Sequence, residues 1–230
     1  MLDLPLYIPI TFILATATAV YCFYRASQSR IFLLITLVWL SLQAILAWSE
    51  FYLNEKTIPP HIPLALAPVI LPMLAIFRFK KGQKFLDELD LRWLTLLHTA
   101  RLPMDMVLFW MFQAQFVPRK ITFAGWSYDI LIGITAPLIA WLALGPKGVL
   151  KRPKLLLAWN LVGLCMLLIL ATLALASIPT ELQRLSFHRP LVGILYFPYI
   201  WMPSGIFPLI FIAQLVALRR LSWKKNLQRG

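Results

Sequence analysis

The chain has 230 residues, 60% of them hydrophobic and 13% charged, with a formal net charge of +13. A soluble domain carries about 25% charged residues, so this composition excludes a water-soluble core. The positive charge is distributed between apolar runs, as membrane-flanking charge is, and not gathered as a nucleic-acid interface would require.

Seven apolar runs follow one another, near 5–24, 31–52, 62–79, 92–116, 127–145, 155–178 and 190–218. Runs of about 17–25 residues can cross a hydrocarbon core as helices. The first lacks a basic n-region and an A-x-A site, and reads as a retained helix. Cys22 and Cys165 lie inside apolar runs and read as packing residues. Glu50 lies near the end of the second run, and His61 opens the third. "FLDELD", 85–90, reads as a segment along the membrane surface. The fourth run carries His98, Arg101 and Asp105, and Asp129 opens the fifth. Pro190, Pro198, Pro203 and Pro208 predict a seventh run that is kinked or broken.

Lys and Arg set the expected direction. With seven spans, 16 basic residues fall on one side, and five (Lys56, Arg119, Lys120, Arg184 and Arg189) on the other. Arg101 completes the 22. This predicts an outside amino terminus and a cytoplasmic carboxyl terminus, with the bacterial inner membrane as the expected location.

The expected fold class is an all-α integral membrane protein of seven transmembrane helices, one domain over 1–230. Asp3 and Asp129, Arg30 and Lys154, and "HIPL" (61–64) and "HRPL" (188–191) open paired runs at offsets of 126, 124 and 127. These landmarks suggest parallel repeats, 1–84 and 127–220, joined by helix 92–116. That layout is similar to the three-plus-one-plus-three plan of SWEET-type sugar transporters, an analogy of architecture that carries no function by itself.

His98, Arg101 and Asp105 follow i, i+3, i+7 spacing and share one helical stripe. Arg101 and Asp105 are also i and i+4, the spacing of an intrahelical ion pair. Charges near the bilayer centre cost at least roughly 2.5–3.5 kcal/mol each, so they should face protein or trapped water. Pro103 lacks the N–H that would bond the Thr99 carbonyl. At about 1.5 Å per residue, Arg101 lies about 14 Å below Arg92, near the midplane. Glu50, Asp129, His61 and His188 are expected on the outer side, with Tyr128, Tyr196 and Tyr199 able to line the same space. The expected site is a pocket opening outward with Arg101 at its floor. Asp129 has an alternative role as a helix cap.

Other chemistries are argued against. No Lys occurs between 155 and 223 to hold retinal. The three His residues lie on separate segments, which disfavours a metal centre, and G-x-S-x-G and Walker patterns are missing. The sequence names no cofactor. The expected partners are the lipid bilayer and a small-molecule ligand, without nucleic acid. The leading reading is small-molecule binding or transport coupled to protons. An intramembrane enzyme acting on a lipid or isoprenoid, with His98 and a carboxylate as acid and base, is the alternative. A sensory or structural subunit is the third.

Overall fold

A computed structural model of the chain describes residues 2–53, 61–179 and 183–227. The described residues are helical, with a single isolated bridge, Leu144 to Leu150, and no strand. The helices are α1 (Tyr7–Ser27), α2 (Arg30–Trp48), α3 (Ile62–Ile76), α4 (Lys80–Glu88), α5 (Leu91–Leu97), α6 (Arg101–Gln113), α7 (Ile130–Ala143), α8 (Pro153–Leu175) and α9 (Phe207–Leu227).

The boundaries follow from capping chemistry. Gln28 closes α1 in a left-handed conformation, its N–H donating to the Tyr24 carbonyl. Ser29 then caps α2 by accepting from the Phe32 N–H. Asp90 caps α5 by accepting from the Arg92 N–H at 2.7 Å, while its own N–H donates to the Ala26 carbonyl and ties α5 to the end of α1. Such caps satisfy amide groups that a helix end leaves without intrahelical partners.

Every apolar run in the sequence contains helix, but the runs are not equivalent. α1, α2, α8 and Met202–Ser222 are long and apolar enough to cross a membrane. A fifth candidate is the pair α3 and α4, bent by 93° at residues 77–79. The fourth run is divided by a 3-10 turn at His98–Ala100. Pro103, two residues into α6, explains the division, because it cannot donate back to Thr99. The fifth run yields only the 14 residues of α7. In the seventh, a 3-10 turn (Gly193–Leu195) and a wide π turn (Met202–Ile206) precede α9, as the four prolines lead one to expect.

α2 exposes Ile31, Leu34, Ile35, Val38, Leu42 and Ile45 along its outer side. An apolar surface of this kind belongs against lipid or another protein. With the long apolar helices, it points to a protein embedded in a membrane.

α5 and α6 lie in the middle of the bundle, packed on α1 and on α7. α2 is fastened to the broken seventh run by reciprocal bonds. Trp39 Nε1 donates to the Ser204 carbonyl, and Trp201 Nε1 donates to the Leu40 carbonyl, each at 2.8 Å. At the far end, α4 is held to α9 by Arg219 and Asp87, 3.2 Å apart, and Arg220 donates to the Leu89 carbonyl. The "FLDELD" stretch therefore forms the end of a crosswise helix and the turn after it.

Candidate functional site

The stripe on the fourth run comes to lie inside the protein. Arg101 is 1% exposed and Asp105 2%. His98 and Asp129 are buried with them, as is Gln214 on α9. An arginine this deep needs compensation, because several kcal/mol are lost when a charge leaves water.

That compensation comes from another helix than the spacing suggests. Arg101 Nε lies 2.8 Å from Asp129 Oδ2, an ion contact whose N–H is not aimed along a hydrogen-bond line. Arg101 Nη2 donates to the Gly163 carbonyl of α8 at 3.2 Å. The expected Arg101–Asp105 ion pair does not form. The planar guanidinium fork directs its donors across to α7 and α8, and Asp105 is left beside it on its own helix.

The two carboxylates have also exchanged the roles expected of them. Asp129 sits at the cap position of α7 yet makes no cap bond. Asp105 lies instead near the Ile130 backbone N–H at the start of α7. The amino end of a helix carries roughly half a positive charge, so α7 partly compensates Asp105. With one guanidinium and two carboxyl groups, the cluster holds one more acidic group than its single cation balances.

Glycines permit this approach. A Cβ on Gly133 of α7 would meet the Leu102 backbone nitrogen at 2.5 Å. Only glycine there lets α7 press on the start of α6 and bring Asp129 to Arg101. A Cβ on Gly163 would meet Gln214 Nε2 at 2.5 Å and Arg101 Nη1 at 3.4 Å. Gly163, Gln214 and Arg101 thus converge on one point.

Several polar atoms in the cluster have no hydrogen-bond partner among the described residues. They are Arg101 Nη1, Asp105 Oδ2, Asp129 Oδ1, both amide atoms of Gln214, and His98 Nδ1. Arg101, Asp105 and Asp129 line a cavity of about 40 Å³, together with Met202, Phe207 and Ile210 from the broken seventh run. A water molecule needs about 10–15 Å³ on such a measure, so the space suits one to three waters or a small ion. A drug-sized ligand fills roughly 300–1,000 Å³ and has no room here.

The remaining sequence candidates lie elsewhere. His98 packs edge-on against Trp159, ring centroids 5.3 Å apart, and does not line the cavity. Tyr199 is buried against Phe12. Glu50 lines a separate cavity with Tyr196 and Phe197. His188 lies in a third, at the loops around 118–120 and 184–189. His61 is stacked on Phe51 and bonded to its carbonyl, and Tyr128 is exposed. The structure therefore unites Arg101, Asp105 and Asp129, sets His98 behind Arg101, and adds Gln214 and Gly163, which the sequence reading passed over. A lone amide inside "FIAQLVAL" was the available signal for Gln214. Among the described residues, no group of His, Cys, Asp and Glu has the arrangement of a metal site. No family model, curated protein or solved structure matches the chain, so a functional reading rests on its own residues.

Proposed function

We propose that the chain is a seven-span membrane protein of the bacterial inner membrane, amino terminus outside and carboxyl terminus in the cytoplasm, that moves a small solute in exchange for or together with protons. The observation that supports it is the buried cluster of one guanidinium and two carboxyls beside a water-sized cavity. Ionisable groups inside a membrane are costly, and their usual occurrence is on ion or proton pathways. The unbalanced acidic group would be met by a proton or a small cation, and Asp105 Oδ2 is the atom placed to take it. Arg101 would hold Asp129 ionised and keep the cavity polar. Gln214, able to donate and accept, would pass a hydrogen bond between them.

Placement at the broken seventh run favours motion over a static role. Met202 and Phe207 flank the cavity, and the irregular turn that runs from Met202 to Ile206 gives α9 a place to shift against α6. In this reading the solute path widens when α9 moves, and the small cavity is its narrow form. A purely structural pair would leave Arg101 fully bonded, whereas its Nη1 has no partner among the described residues.

The reading is tested by reconstituting the protein in vesicles that enclose a pH-reporting dye and offering small anionic and neutral solutes singly. A transported solute should change the internal pH, and Asp105→Asn should abolish that response. A solute carried equally fast with and without a pH gradient would contradict proton coupling.

A further inference from the structure

Four of the five basic residues assigned to the minority side of the membrane, Arg119, Lys120, Arg184 and Arg189, line one cavity of about 480 Å³. Charge that served only to set topology would have no reason to converge. The cavity lies between two loops, and His188, Ser186, Phe112 and Phe187 complete much of its wall. No carboxylate among the described residues lines it.

The loops are fixed against one another. The Gly193 N–H donates to the Phe116 carbonyl at 3.1 Å, and the Leu191 N–H to the Ser177 carbonyl at 2.7 Å. A Cβ on Gly193 would meet Met111 Cε at 2.7 Å and the Phe116 oxygen at 2.9 Å, so the second loop rests directly on the end of α6. Ser186, at φ 58°, starts a tight turn whose carbonyl accepts from the Arg189 N–H.

Among the described residues, Arg119, Lys120 and Arg189 are held by a neutral carbonyl and aromatic faces. Arg119 Nε donates to the neutral Ala124 carbonyl. Lys120 Nζ lies 5.0 Å above the Trp126 ring, and the Arg189 guanidinium 5.7 Å from the Phe112 ring. Aromatic faces orient a cation and leave its charge available. Arginine forks and a lysine point charge, beside a serine hydroxyl, are the donor set that binds phosphate oxygens.

We propose that Arg119, Lys120, His188 and Arg189 form a binding site for a phosphate group carrying two or more negative charges. The group is either the headgroup of an anionic lipid or a soluble phosphate compound. This site is separate from the Arg101 cluster and does not depend on the transport reading.

The test is calorimetric titration of inorganic pyrophosphate into the full chain in a neutral detergent at low salt. Wild type should bind. Lys120→Gln and Arg189→Gln, both at half-buried positions, should each weaken binding about tenfold, the loss of one charge-assisted contact. Lys81→Gln/Lys84→Gln on exposed α4 removes charge elsewhere and should leave binding unchanged, and matching melting curves would show that all variants are folded. Cardiolipin added beforehand separates the two sources. Displacement of pyrophosphate assigns the site to a lipid headgroup, and undiminished pyrophosphate binding assigns it to a soluble phosphate. Absence of binding by wild type, or equal loss in the α4 variant and the cavity variants, would overturn the proposal.

Discussion

At the scale of residues, the pairing of Arg101 makes a sharp prediction. Removing one partner of a buried ion pair typically costs about 3–5 kcal/mol, while replacing both with apolar groups can be nearly neutral. Arg101→Met and Asp129→Leu should therefore each lower the melting temperature in detergent, and the double variant should recover most of the loss. Asp105→Asn stands in for the neutral, protonated acid at nearly the same size, so its melting temperature should stay level. A fall as large as that of Asp129→Leu would make Asp105 the structural partner instead. The charges themselves were legible in the sequence, because an arginine and aspartates inside apolar runs are conspicuous on energetic grounds. Their partners were not. Spacing along one helix reports only neighbours on that helix, and Arg101 reaches across to Asp129 and Gly163, which chain folding alone brings near.

At the scale of elements, close packing of α6, α7 and α8 rests on two glycines whose surroundings differ. The obstacle beside Gly133 is the Leu102 backbone, which cannot move without displacing α6. The obstacle beside Gly163 is the end of the flexible Gln214 side chain. Overpacking typically costs about 1–3 kcal/mol. Gly133→Ala should fall at the upper end and Gly163→Ala at the lower, as measured by thermal unfolding of the two variants side by side. Equal losses would indicate that α7 can slide away from α6. Nothing in the sequence distinguishes the two glycines. Helix breaks were more readable. The prolines of 190–208 announced the interruption before α9, and Pro103 announced the 3-10 turn at His98–Ala100. The shortness of α7 was hidden, because the apolar run from 127 to 145 includes loop residues on both sides.

At the scale of the whole molecule, hydropathy carried the helical class and the apolar helices, and basic residues carried an expected direction. The proposed seven-span topology predicts that a fluorescent protein fused at the carboxyl terminus fluoresces and that alkaline phosphatase fused there stays inactive; active phosphatase would reverse the proposed orientation. The proposed function rests on something smaller than topology, the grouping of Arg101, Asp105 and Asp129. The most direct test is infrared difference spectroscopy of the protein in lipid, comparing wild type with Asp105→Asn in light and heavy water. We expect the carbonyl band of a protonated carboxylic acid in wild type, shifted in heavy water and missing in Asp105→Asn. A wild-type spectrum without that band, or one that Asp105→Asn leaves intact, would contradict the assignment of the exchangeable proton to this site.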